Sequence, residues 1–117
     1  MTTKIQRPKI TNGLTEKRKL GCGSLYVTVS GDENGHKPIE VMVSLGKAGS
    51  CTKCQNEALT RMITIGLKHD VPVDAIIEEL KDLECPSRNL WPESDRNLSC
   101  ADAIAQVLRT YVENHKV

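Results

Sequence analysis

Polar and apolar residues alternate along two stretches in the first half of the chain, and then a longer period takes over. Leu25-Tyr26-Val27-Thr28-Val29 is β-branched and aromatic and lies between Gly23 and Gly31. Ile39-Glu40-Val41-Met42-Val43-Ser44-Leu45 alternates at period two. Such alternation sends successive side chains to opposite faces of a strand. Between the two, Gly31-Asp32-Glu33-Asn34-Gly35 is rich in residues that tolerate positive φ, so the pair reads as a β-hairpin with a longer loop. Lys17-Arg18-Lys19-Leu20 is the candidate for a third, edge strand.

A glycine-containing loop over residues 46–52 is then expected to lead into a helix from near Cys54 to about His69. Its apolar stripe is Ala58, Leu59, Met62, Ile63, Ile65, Gly66 and Leu67. A second helix is predicted to open at Asp70 with Pro72 in its first turn, burying Ile76, Ile77, Leu80 and Leu83. Pro86 and Pro92 mark residues 84–98 as a loop. The last helix is capped by Ser99, with Asp102 three positions on as an acidic capping box, and its stripe is Ile104, Val107, Leu108 and Tyr111. Helices that follow strands, rather than alternating with them, predict an α+β domain: an N-terminal antiparallel hairpin or small sheet packed by three C-terminal helices. Such a sheet leaves one face bare, carrying either Tyr26, Thr28, Glu40, Met42 and Ser44 or their alternates, and thin sheets of this kind pair across symmetry axes. A homo-oligomer, a dimer or higher, is therefore expected.

Composition narrows the class. A length of 117 residues fits a single domain. Lys+Arg number 16 against 15 Asp+Glu, a net charge of +1, which argues against bulk electrostatic binding of duplex nucleic acid or an acidic membrane. No apolar run approaches the ~18 residues that span a bilayer, and no apolar signal core opens the chain, so a cytoplasmic location is expected. The charge is uneven. Residues 1–19 hold Lys4, Arg7, Lys9, Lys17, Arg18 and Lys19 against Glu16, so they read as a basic N-terminal arm ahead of a domain over residues 20–117. The arm is either a solvated tail or a segment that reaches over an anionic ligand or a neighbouring subunit.

The chain carries five Cys, an odd number that does not suggest a disulfide framework. Cys51-Thr52-Lys53-Cys54 is a CxxC, and Cys85 and Cys100 can in principle complete a four-thiolate zinc site. The second half lacks the matching CxxC knuckle, so inert thiols with no metal and no cofactor are the default. His36, His69 and His115 fall in no catalytic motif, and no enzyme activity is expected.

Five blocks then come in one order: Gly21-Cys22-Gly23-Ser24-Leu25-Tyr26-Val27-Thr28-Val29, Glu40-Val41 through Leu45-Gly46-Lys47-Ala48-Gly49, Glu57-Ala58-Leu59-Thr60-Arg61, Glu84-Cys85-Pro86, and Leu98-Ser99-Cys100-Ala101-Asp102-Ala103-Ile104. Together they resemble the TSCPD domain, known as the C-terminal module of adenosylcobalamin-dependent ribonucleotide reductases, over about residues 7–112. Ala101 stands where that family usually has Pro. The resemblance implies the module and not the reductase, whose barrel, cobalamin site and radical cysteine do not fit in a chain of this size.

Three pieces carry candidate chemistry. Lys47, Gly49 and Ser50 form a glycine loop ahead of a helix, which is either an ordinary connection or a cradle for phosphate; the spacing is not a Walker A motif. Arg61 sits beside the apolar stripe and either pairs with a local acid or clamps a phosphate with its planar fork. Trp91, with Arg88 and Asn89, makes a base-stacking platform in a Pro-rich loop, or else fills a gap between helices. Ser99 and Asp102 are helix-capping residues, with Asp102 also able to accept from a ribose hydroxyl.

The leading functional expectation is non-enzymatic binding and sequestration of a small nucleotide signal, a cyclic ADP-ribose variant or a cyclic oligonucleotide. In size and architecture the chain also resembles the small phage nucleotide sponges, such as the Thoeris anti-defence proteins. The alternatives are a detached regulatory or assembly module of a vitamin B12-dependent ribonucleotide reductase, and a small zinc-bound structural module.

Overall fold

The computed structural model of the chain describes residues 4–21, 23–45 and 50–115. Strands β1 (Gly13–Leu20), β2 (Gly23–Gly31) and β3 (Pro38–Leu45) form one antiparallel sheet in the order β1-β2-β3. Helices α1 (Ser50–Lys68), α2 (Val73–Leu80) and α3 (Cys100–Asn114) follow, with a short 3-10 turn at Glu93–Asp95. The α+β architecture is thus the one the alternation implies. The third strand forms and is longer than its basic core: Gly13–Lys19, grouped with the arm on charge, are ladder residues opposite Ser30 through Ser24. Charge hid the strand, because its outward residues Lys17 and Lys19 flank the inward Arg18.

Register assigns the faces. Leu14, Glu16, Arg18 and Leu20 of β1 share a face with Leu25, Val27 and Val29 of β2 and with Val41, Val43 and Leu45 of β3. The opposite face carries Thr15 and Lys17, Tyr26 and Thr28, and Met42 and Ser44, with Tyr26 and Met42 exposed to solvent. On that face the hydroxyls of Thr15 and Thr28 pair at 2.8 Å.

α3 packs across the inner face, and its Ala103, Ile104, Val107, Leu108 and Tyr111 are buried against Leu25, Val27 and Val29. Ile104, Val107 and Leu108 each contribute about 1.5–3 kcal/mol by leaving water. The Tyr111 hydroxyl donates to the Gly35 carbonyl at 2.7 Å, and a Cβ on Gly31 would collide with that hydroxyl. Burial first, and the Asp32 carboxylate second, push the Tyr111 phenol above its ordinary value. α2 leans on α3 and buries Ile77, while Leu83, beyond its end, is exposed.

The helix boundaries differ from those expected in two places. α1 begins at Ser50, so Cys51 and Cys54 lie one turn apart on a helix and not in a loop. Asp70 does not open α2. It has φ 64 and closes α1, where the Asp70 N–H donates to Leu67 O and the Val71 N–H to Gly66 O, the paired bonds of a Schellman ending. Pro72 caps α2 from outside the helix. The stripe of α1 is also narrower than expected. Ile63 and Leu67 are buried, Ala58, Met62 and Ile65 are exposed, and the intervening inward positions are the polar residues Asn56 and Thr60.

α3 starts at its predicted cap: the Asp102 N–H donates to Ser99 Oγ at 3.0 Å. Asp102 is itself buried, and its carboxylate accepts from the N–H groups of Leu98 and Asp82 at 3.0 and 2.9 Å and from Gln106 Nε2 at 2.9 Å. The acid therefore reaches one residue further back than in a standard capping box and pins the loop before α3 to the end of α2.

Candidate functional site

α1 packs chiefly on the β3 edge of the sheet. Between the two elements lies a groove of about 730 Å³, within the few-hundred to thousand cubic ångström range of small-molecule sites. Residues 46–49 join Leu45 to Ser50, and Thr64 lies against Val41, so α1 runs back along β3. The Thr64 hydroxyl accepts from the Val41 N–H at 3.0 Å and sits 3.3 Å from the Val41 carbonyl, to which it donates. One side chain thereby ties the helix to the strand edge.

The helical wall of the groove is polar for a periodic reason. Lys53, Glu57, Thr60, Thr64 and Lys68 recur three or four residues apart and so share one face of α1, with Asn56 and Arg61 flanking them. The strand wall offers Val41, Val43 and Leu45, together with Met42 and Ser44. The segment ahead of β1 supplies the end wall. Ile5 N–H donates to Lys68 O at 2.8 Å, Arg7 Nε bonds the Glu40 carboxylate at 3.1 Å, and Lys4 lines the cavity.

Four cations face this volume: Lys4, Lys53, Arg61 and Lys68. Of the two acids there, Glu40 is held by Arg7 and Glu57 by Arg61, the latter at 2.7 Å. Lys4, Lys53 and Lys68 have no acidic partner among the described residues. The Arg61–Glu57 pair is exposed at 78% and 56%, and an exposed i,i+4 pair stabilises by only about 0.3–0.5 kcal/mol, so an incoming anion displaces it at small cost.

The other candidates sit elsewhere. Lys47 and Gly49 lie outside the described residues, and of Ser50 only the backbone is described, as the first residue of α1. Arg88 pairs with Glu84 at 3.1 Å on the surface. Asn89 is turned into its own loop: Nδ2 donates to the carbonyls of Asp95 and Trp91 at 2.7 and 3.2 Å, and its backbone bridges Asn97. Trp91 is 79% exposed and fills no gap between helices. Ser99 and Asp102 cap and clamp, as described above. Asp102 also lines a smaller polar hollow of about 300 Å³ with Lys81, Arg96 and Arg109. The structure therefore brings Arg61 alone, of the described candidates, into the large groove.

Cys51 and Cys54 are exposed on α1, and Cys85 and Cys100 are half-buried. Among the described residues no three His, Cys, Asp or Glu side chains converge to hold a metal ion, so the four cysteines weighed for zinc do not form one cluster.

Two features escaped the sequence reading. One is the polar stripe on α1, whose signal is its own helical spacing and which an apolar search passes over. The other is Arg18, 6% exposed on the inner face of the sheet. Its Nε donates to Asn97 Oδ1 at 2.8 Å, and its terminal nitrogens reach Glu16 Oε1 at 3.3 Å, Arg96 O at 3.2 Å and Gln106 Oε1. Asn97, fully buried, donates onward to Lys19 O and to Asp95. The alternation Leu14-x-Glu16-x-Arg18-x-Leu20 places Arg18 inward, and that is the signal that could have found it.

No helix among the described residues is long and apolar enough to cross a membrane. A family model, the TSCPD domain, matches residues 1–112. No curated protein and no solved structure matches the chain.

Proposed function

Because the chain belongs to the TSCPD domain family, in which its sequence blocks already placed it, we propose that it is a non-enzymatic binding module for a small nucleotide, held in the groove between β3 and α1. One observation carries the reading: a nucleotide-sized cavity faced by Lys4, Lys53, Arg61 and Lys68, whose two acids are already committed to arginines. Ammonium groups act as point charges on phosphate, and the Arg61 fork adds a bidentate option. Apolar walls from Val41, Val43, Leu45 and Ile65 suit the faces of a base or ribose. Binding that leaves the ligand intact makes the protein a sink for the nucleotide, with cyclic ADP-ribose variants and cyclic oligonucleotides as the proposed class.

A ligand that binds only the folded chain raises its stability by roughly 2.7 kcal/mol at a hundredfold excess over Kd. The test is thermal unfolding with cyclic di- and trinucleotides, cyclic ADP-ribose isomers and deoxynucleotides, followed by mass spectrometry of the ligand released on heating. A shift with at least one, lost in the Lys53→Ala/Arg61→Ala double variant, with the ligand recovered unaltered, is the expected result. No shift across the panel, or recovery of a cleaved ligand, overturns the reading.

The same reading includes self-association through the outer sheet face, where Tyr26 and Met42 stand exposed beside Thr15, Thr28 and Ser44. Static light scattering at micromolar concentration is expected to give a dimer or higher mass; a monomer mass overturns this part.

A second reading draws on the family itself: a regulatory or assembly module of a B12-dependent ribonucleotide reductase. Co-purification with a reductase large subunit, together with no thermal shift from the nucleotide panel, would favour it.

A further inference from the structure

The ladder of the sheet decides which backbone groups face the groove. The Lys19 N–H donates to Asp95 Oδ1 and the Lys19 carbonyl accepts from Asn97 Nδ2, so the odd-numbered residues of β1 turn their backbone away from β2. In an antiparallel sheet the alternation carries across. Leu25, Val27 and Val29 then bond β1, Tyr26, Thr28 and Ser30 bond β3, and Val41 and Val43 turn their N–H and C=O groups outward. Val41 confirms the parity, since its two groups are the ones Thr64 takes. Val43 is next along the edge and lines the groove, and its N–H and C=O have no partner among the described residues.

The opening is short. Thr64 closes the edge at Val41, and β3 ends at Leu45. An added peptide strand draws on several successive pairs and does not fit so brief a gap. A flat heterocycle with one donor beside one acceptor does, and every nucleobase has such a pair on its Watson–Crick edge. Two strand residues advance about 6.6 Å and four helical residues about 6 Å, so Val43 stands level with Thr60. Beside Thr60 is Asn56, 7% exposed: its Nδ2 donates to Thr52 O at 3.0 Å, while its Oδ1 accepts no hydrogen bond among the described residues. Lys53 and Arg61 also line the groove, about 12 Å apart along the axis of α1 and on either side of Asn56.

We propose that the open N–H and C=O of Val43 read the edge of a nucleobase, with Asn56 as a further polar contact and the attached phosphate directed to Lys53 and Arg61. This deepens the nucleotide-binding reading and rests on it. The backbone pair orients the base, and the cations hold the anion.

Nitrogen-15-labelled full-length protein, titrated with millimolar AMP, GMP, CMP and UMP in turn and with ribose 5-phosphate, tests it. At least one nucleotide is expected to shift the Val43 amide resonance and slow its hydrogen exchange severalfold. Ribose 5-phosphate, which lacks a base, is expected to perturb Lys53 and Arg61 and leave the Val43 amide unchanged. Val43→Pro deletes the N–H at an outward edge position, where proline is tolerated in sheets, and is expected to weaken that nucleotide roughly five- to tenfold with ribose 5-phosphate unaffected. The measurement on the unmodified chain stands even if the proline variant does not fold. A nucleotide that binds without touching the Val43 amide overturns the base-reading role and leaves the nucleotide reading intact. If none of the five compounds binds, the base-reading role falls, while the nucleotide reading is decided by the cyclic-nucleotide panel.

Discussion

Arg18 shows how a single charged residue can belong to the interior. Its guanidinium spends its donors on Asn97, Arg96 O, Glu16 and Gln106, and so joins β1 to the segment ahead of α3. Arg18→Met leaves Asn97 Oδ1 without its main donor and Asp95 without a nearby cation, and is expected to cost about 3 kcal/mol in denaturant unfolding. Arg18→Lys should recover only part of this, because one ammonium does not span four acceptors. A loss near zero for Arg18→Met would mean that the loop is held by apolar packing. Tyr111 gives a pH-dependent case. Its phenol is raised in the folded state above the 10.0 of the unfolded chain. The folded state thus keeps its proton where the unfolded state has lost it. The stability it contributes is complete below about pH 10 and is lost as pH rises through the folded value. Tyr111→Phe should lower stability by about 1 kcal/mol at neutral pH, by removing the bond to Gly35 O, and should flatten the decline above pH 10. An unchanged alkaline slope would assign that decline to other groups.

At the scale of elements, α1 is the instructive case. Its existence is plain from spacing, since Leu59, Ile63 and Leu67 recur at helical intervals. Its function-bearing side is not, because Lys53, Asn56, Thr60 and Thr64 read as ordinary solvated polar positions until β3 is placed opposite them. Thr64 is what fixes that placement. Thr64→Val leaves the N–H and C=O of Val41 unpaired and is expected to destabilise by about 1–2 kcal/mol, with Thr64→Ser costing less than half as much. A larger loss for Thr64→Ser than for Thr64→Val in unfolding midpoints would show that the methyl group, not the hydroxyl, carries the contact. β1 teaches the opposite lesson. Its basic composition reads as an arm, yet Gly13–Leu20 pairs as a strand, because inward Leu14 and Leu20 pack on the core. For the segment 84–98, two prolines announced a loop correctly, yet nothing local reveals that Asn97 is buried. That depends on Arg18, far away in the chain.

Across the whole molecule, packing is unequal. α3 lies over all three strands and α2, whereas α1 is attached chiefly along β3, and its residues 51–55 are all exposed. Few buried contacts make for easy local opening. Amide exchange is therefore expected to be slowest in β2 and α3 and faster in the first turns of α1, and a bound nucleotide should slow α1 selectively. Uniform protection of the three helices would contradict this division. The fold was legible because period and breakers are local signals. The groove was not, because it arises between a strand edge and a polar helix face that are unremarkable alone. One practical consequence follows from the placement of Trp91. The chain has a single indole, and it already stands in water. Its emission colour should hardly change when the protein melts, so unfolding has to be followed by circular dichroism, and a blue shift on adding a compound would report that something has settled on that loop.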